Sequence, residues 1–505
     1  MTEALPTLLF VAIVLGYSLW QGFRHESSTV GLNGFFLMNK SLHAKALGTS
    51  FVASNISVAT VVLALGVVGY NFGFWGAVWI TICWISGILL FAYLIGKEPV
   101  REYLRVGHTL HEFIGEHYDQ PGRLPIVRLA ASALTVIVFW GTIGIEFFAG
   151  FLVFTKLGGG PSPMLIALVI AAVIILYTIK GGYRAATIAD WPRLILVCIG
   201  FLILGVIAFR IQQTSTPGAE PLFSLSSLSR IPPVWAFASI ITLVPVQLSG
   251  MDMWQRCVAA EGNISAIRRG LFLSLPLNLL WLVPAYVGAL AKSLNYTPAH
   301  VNYVVLEILD QIKPFIGQWW EWIVQPLLYG SLVATMASTI DTLLMSLIFT
   351  FMYDMYGTFK RIDYSTLSET EEADLVVRSK FWTGMLGLSS LFIVFVGLFM
   401  ATLYDLIVTS FALQIILFCP VLFVILTPKR DLTKRRILAF IGLAAGFFAA
   451  IGTIILYLTM IGDPRVLSAA PIAAFAATLI FYLILVLLSP KAKESTTIER
   501  DSESA

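Results

Sequence analysis

The chain has 505 residues, of which 58% are hydrophobic and only 12% charged, with a formal net charge of +3. A soluble domain carries about 25% charged residues, so the composition excludes a soluble enzyme and describes an all-α integral membrane protein. The small positive balance does not point to nucleic acid, because the basic residues follow membrane topology.

A hydrocarbon core of about 30 Å is crossed by about 20 apolar residues. Thirteen such stretches occur in chain order: residues 5–21, 46–68, 74–96, 129–153, 163–179, 190–209, 234–254, 270–291, 322–353, 381–402, 405–427, 437–460 and 470–489. Between them the 32 Lys and Arg residues alternate, with 26 in one set of connections and 6 in the other. The rich set includes Lys97, Arg101, Arg105, Arg123 and Arg128, then Lys180, Arg184 and Arg193, then Arg256, Arg268 and Arg269, and the cluster Lys429 to Arg436. Such bias predicts an N-terminus outside and a C-terminus in the cytoplasm, in a plasma (inner) membrane. The first span begins beside Glu3 without a basic leader, so it is expected to stay as a helix.

Cys83, Cys198, Cys257 and Cys419 show no pairing pattern and read as small core residues. His111, Glu112 and His117 resemble a metal motif only superficially, because the two histidines are six apart rather than four. Gly158 to Gly160, with Pro161 and Pro163 after them, reads as a turn. The acidic stretch from Ser368 to Asp374 and the tail 491–505 read as solvated, the tail as disordered.

Polar residues inside spans mark pathways, because a charge at mid-helix costs about 2.5–3.5 kcal/mol on insertion scales. The second span crowds Thr49, Ser50, Ser54, Asn55, Ser57 and Thr60 into its first half. Helix packing through small residues is the plain alternative there. The ninth carries Thr335, Ser338, Thr339, Asp341 and Thr342, hard oxygen donors of the kind a small cation takes. Its hydroxyls could instead bond back to their own helix. Asp341, read as unpaired, needs a cation or a proton. In the seventh span Pro245 and Gly250 break the helix, which a membrane tolerates where the exposed backbone lines a cavity. The second and seventh spans stand five apart, the offset of two inverted five-helix repeats that each begin with a broken helix.

At these residues the chain resembles the sodium:solute symporter family from about residue 30 to 430. The likeness rests on Ala53-Ser54-Asn55-Ile56-Ser57 leading to Leu65-Gly66, on Thr109-Leu110-His111-Glu112-Phe113, and on Gly181-Gly182-Tyr183-Arg184-Ala185 with Asp190. It continues through Gln255-Arg256-Cys257-Val258-Ala259-Ala260, Ala266-Ile267-Arg268-Arg269-Gly270 and Ser338-Thr339-Ile340-Asp341-Thr342-Leu343-Leu344. The resemblance implies a leucine-transporter-like fold and alternating access, with core repeats at about 46–209 and 234–427. Spans 5–21, 437–460 and 470–489 are then peripheral, within one membrane domain over 1–490.

For sodium, the resemblance implies the carbonyls of Ala53, Ile56 and Thr335 and the hydroxyls of Ser338 and Thr339. A second sodium would involve Asp190, with Asp341 and Thr342; capping, or pairing with Arg193, is the alternative for Asp190. Solute candidates facing the midplane are Asn55, Ser57, Thr60, Trp79, Trp140, Glu146, Gln247 and Gln414. Sugar-transporting relatives place aromatics where this chain has Val246 and Gln247, which argues against a stacking platform there. Glu146 facing a cavity would favour a cationic group on the solute; facing a helix, it would be structural.

The expected function is sodium-coupled import of a small polar organic solute of amino acid, amine or carboxylate type, with a sugar or other neutral solute as the alternative. Sodium, the solute and the bilayer are the expected partners, with no cofactor besides Na+ as coupling ion. After the last span, Ser489 to Ala505 are too short for a sensor's output domain, and nothing resembles a channel filter.

Overall fold

A computed structural model describes residues 4–157, 160–214, 225–310, 313–364, 366–397, 403–459 and 464–491. The tail from 492 on and most of the Gly158–Gly160 turn lie outside them. Among the described residues the structure is helical, with a single isolated bridge between Arg430 and Lys491.

Among the described residues ten helical runs are long and apolar enough to cross a membrane. Several of these are longer than one crossing needs, and two of the long ones are broken at a glycine. Pro163–Thr214 has 52 residues, about 78 Å if straight, and it is broken at Gly182, where φ is 56°. Val58–Leu94 has 37 residues and is broken at Gly73, where φ is 75°. L-residues with side chains rarely adopt such angles, so glycine stands where the path must change. The count of thirteen treats both breaks as boundaries and adds the fragmented seventh span.

That seventh span runs as Pro233–Leu243, Val246–Ser249 and Met251–Ala259. Pro245 lies at the first junction, and Gly250, extended at ψ 116°, at the second. The Trp254 indole N–H donates to the Leu248 carbonyl at 2.9 Å, so a freed backbone acceptor keeps a partner. In the second span, helix Ala44–Asn55 ends on Ile56 (ψ 93°) and Ser57 (ψ 146°), both extended, before wide helical turns at Val58–Ala64. The sequence dictates this locally. Asn55 donates to the Phe51 carbonyl at 2.6 Å, and the Ser57 hydroxyl accepts from the Thr60 N–H at 2.9 Å, so short polar side chains compete with the helical ladder and cap the wide turns after the break.

Burial separates centre from rim. The hydrophobic window of Trp320–Lys360 is 94% buried, whereas those of Leu5–Arg24, Thr433–Thr459 and Val466–Leu488 are 39%, 33% and 28% buried. Glu369–Gly397, placed in the second repeat by sequence, is also only 28% buried. Backbones approach closely where Val58–Leu94 meets Leu282–Ser293: a Cβ on Gly69 would collide with the Ala285 carbonyl and one on Gly288 with the Gly66 carbonyl. Small residues permit this backbone contact.

At the cytoplasmic end predicted from charge, buried Asp354 joins three segments. It accepts from the Thr109 hydroxyl at 2.7 Å and from Arg128 at 2.9 Å, and lies 3.0 Å from His111 Nδ1. His111 is therefore engaged with Asp354, and with Thr135 through Nε2 at 2.8 Å. Two of the basic residues assigned to connections are instead inside the protein: Arg193 is 2% exposed and Arg256 is fully buried. Each has a carboxylate partner, which is how charge is tolerated at such a position.

Candidate functional site

The broken second span and the buried ninth helix face each other. The last helical N–H of the first segment, from Ile56, bonds to the Val52 carbonyl at 2.9 Å, and the carbonyls beyond it are helix-end acceptors. One of these, Ser54 O, accepts the Thr339 hydroxyl at 3.0 Å. Ala53, Ile56, Thr335, Ser338 and Thr339 are all buried. Because the Thr339 and Ser338 hydroxyls donate elsewhere, those bonds leave their oxygen lone pairs unused. Ser338 donates to Asp190 Oδ1 at 2.5 Å.

Asp190 and Asp341 lie near one another with different surroundings. Asp341 Oδ2 accepts from Arg193 at 2.6 Å and from the Tyr177 hydroxyl at 2.5 Å, while Oδ1 is 3.4 Å from the Thr342 hydroxyl. The sequence left Asp341 without a partner; the structure gives it a guanidinium from another helix. Arg193 Nη1 is 3.8 Å from Asp190. Its Nη2 donates to Ser18 of the first helix at 2.8 Å, and the guanidinium carbon lies 5.0 Å from the Tyr177 ring centre. The Asp190 Oδ2 atom is buried with no hydrogen-bond partner.

Beside these groups opens a cavity of about 180 Å³. Of the solute candidates, Asn55, Ser57, Thr60, Gln247 and Gln414 line it, and so do Ser54, Thr339 and Thr342. Three candidates do not. Trp79 donates to the Ala236 carbonyl at 3.2 Å, and Trp140 to the Ser389 hydroxyl at 2.9 Å. Glu146, 1% exposed, sits behind the unwound segment, where Oε1 accepts the Ser57 hydroxyl and the Ala59 N–H. It holds the start of the helix beyond the break.

Several lining residues were not singled out by sequence. Trp84 and Trp281 pack with ring centres 4.6 Å apart, and the Trp235 indole donates to the Tyr404 hydroxyl at 2.7 Å. All four line the cavity, so the absence of aromatics at Val246 and Gln247 does not leave it without rings. Asp252 lines it too, bound through Oδ2 to Arg256 at 2.9 Å. Arg256 also donates to the Ser54 hydroxyl, tying the seventh span to the second. The Gln-Arg segment was the available signal, since a basic residue within an apolar stretch asks for an anion nearby.

Comparisons with known proteins bear on the family and the fold. A sequence model of the sodium:solute symporter family matches residues 35–446. The chain is 29% identical over 212 residues to sodium/glucose cotransporter 4 of Danio rerio, covering 40% of this chain and 29% of that protein. It is 27% identical over 203 residues to the sodium/pantothenate symporter of Escherichia coli (strain K12), covering 40% of each. The matched stretch thus spans less than half the length of either relative. In fold, it is similar to a Na+-coupled sialic acid symporter in a substrate-bound outward-open state, with a TM-score of 0.70, 15% identity and 97% and 99% of the two chains covered.

Proposed function

We propose, starting from the fact that this chain belongs to the sodium:solute symporter family, that it couples sodium entry to import of a small polar organic solute by alternating access. One observation carries this reading. Ser54 and Thr339 bond to each other across the broken span and also line the cavity, so ion and solute would share a wall. Occupancy by either changes the backbone that the other meets, as coupling requires. The proposed sodium shell is Ala53 O, Ile56 O, Thr335 O and the hydroxyls of Ser338 and Thr339.

Asn55, Ser57, Thr60, Gln247 and Gln414 offer uncharged donors and acceptors, while Arg256 compensates the carboxylate of Asp252. This wall suits an uncharged or zwitterionic solute bearing hydroxyl, amide or carboxylate oxygens. A neutral ring-shaped solute such as a sugar is the second reading, supported by Trp84, Trp235, Trp281 and Tyr404. The basic-residue ladder supports a plasma-membrane protein with its C-terminus in the cytoplasm.

Uptake of a solute panel into proteoliposomes, with sodium outside, inside or absent, tests the reading. Accumulation of at least one solute driven by inward sodium is expected. Transport of every accepted solute at the same rate and extent without sodium would overturn it.

A further inference from the structure

The buried charges around Ser338 and Asp341 do not balance by themselves. Asp190 and Asp341 are fully buried, and Arg193 is 2% exposed. With both carboxylates ionised, one guanidinium leaves one negative charge. The neighbouring Arg256 and Asp252 form a pair that is neutral in itself. An uncompensated ion removed from water is costly even after relaxation, so the set takes one further positive charge, a cation or a proton.

The location of the remaining charge is also defined. Arg193 is fixed on Asp341 at 2.6 Å, on Ser18 at 2.8 Å and over the Tyr177 ring, and it stands farther from Asp190, at 3.8 Å. Asp190 keeps one oxygen on Ser338 and the other, Oδ2, without a partner. The residual charge therefore lies beside Ser338, a residue of the proposed sodium shell. Asp341, the other carboxylate expected at a second ion site, is already satisfied by a cation that cannot leave.

We propose that Arg193 takes the place of a second sodium ion as a tethered cation, so that this transporter binds and moves one sodium per cycle. The inference rests on the sodium-coupled reading above. Ser18 and Tyr177 act as positioning residues that keep the guanidinium on Asp341. The first helix, outside the ten-helix core, thereby helps to set the ion count.

Equilibrium dialysis of the purified full chain against radioactive sodium, without solute, counts bound ions directly. The native chain should bind one ion. Arg193→Gln, which exposes the Asp341 charge, should bind two. Arg193→Gln combined with Asp341→Asn restores the original balance and should return to one. Two ions on the native chain would overturn this inference and leave the symport reading intact, whereas none would remove that reading and this one with it. If Arg193→Gln alone does not yield folded protein, the native chain and the double variant still decide, since a double variant binding two ions refutes charge compensation by Arg193.

Discussion

Replacing Ser338 and Thr339 in turn by alanine separates two effects that the geometry assigns unequally. Each substitution removes one side-chain oxygen from the proposed shell, and a bond to a charged group is worth about 1.5–3 kcal/mol. At about 1.4 kcal/mol per tenfold, this is a loss of about 12- to 150-fold in sodium affinity. Without sodium the two variants should differ. Ser338→Ala removes the hydroxyl that donates to Asp190 Oδ1 at 2.5 Å, beside a second oxygen that has no hydrogen-bond partner among the described residues; orphaning a buried polar group costs about 1–3 kcal/mol, more when charged. Thr339→Ala frees two neutral acceptors, the Ser54 carbonyl at 3.0 Å and the Thr335 carbonyl at 3.2 Å, a loss of about 0.5–1.5 kcal/mol. Sodium titration monitored by intrinsic fluorescence, together with thermal unfolding in sodium-free detergent, reads both. Unchanged sodium affinity in both variants, or a sodium-free stability of Ser338→Ala equal to that of Thr339→Ala, would refute the reasoning.

Glu146→Gln keeps shape but replaces the carboxyl oxygen that accepts from Ser57 and Ala59 by an amide oxygen. It should lower thermal stability by about 1–2 kcal/mol while leaving the order of preferred solutes unchanged; an altered preference in the uptake panel would place Glu146 in solute recognition. Gly288→Val drives side-chain atoms into the Gly66 carbonyl and should abolish the monodisperse peak in size-exclusion chromatography, whereas Gly452→Ala, with nothing within 4 Å, should not. Burial alone would raise the Glu112 carboxyl, but hydrogen bonding from His108, the Arg128 charge and the Tyr103 hydroxyl bring it down from 4.5 to about 2. Its stabilising effect is then full above about pH 4.5 and fades as pH falls towards 2, so the stability gap between native protein and Glu112→Gln should close only over that acid range. For one ion moving with a neutral solute, a potential of about 100 mV alone supplies about 2.3 kcal/mol and about fortyfold accumulation, measurable with a potassium-valinomycin gradient; about the square of that would indicate two charges.

Much of this arrangement was legible wherever local chemistry decides it. Ser54-Asn55-Ile56-Ser57 predicts a break because its polar side chains compete with the helix, and Pro245 and Gly250 do the same in the seventh span. The hidden part depends on helix rotation and on partners distant in sequence. Trp79 and Trp84 are five residues apart, about 140° around a helix, so only Trp84 reaches the cavity, and a span apolar on every side does not reveal which face turns inward. Arg193 meets Asp341 across 148 positions of sequence. The sequence offers Arg193 as a partner for Asp190, three residues away, and gives no sign that it reaches Asp341.

The backbone contact between Gly66 and Gly69 on one side and Ala285 and Gly288 on the other leaves no side-chain layer in which those two helices could slide. They must travel as one rigid body. Any rocking of that body against the ninth helix has to be absorbed where the second span is already extended, at Ile56 and Ser57. That stretch, through Ile56, presents a carbonyl assigned to the ion. On the proposed sodium shell, the hinge angle and the sodium coordination distance would be one mechanical coordinate, and releasing the ion and bending the hinge a single event.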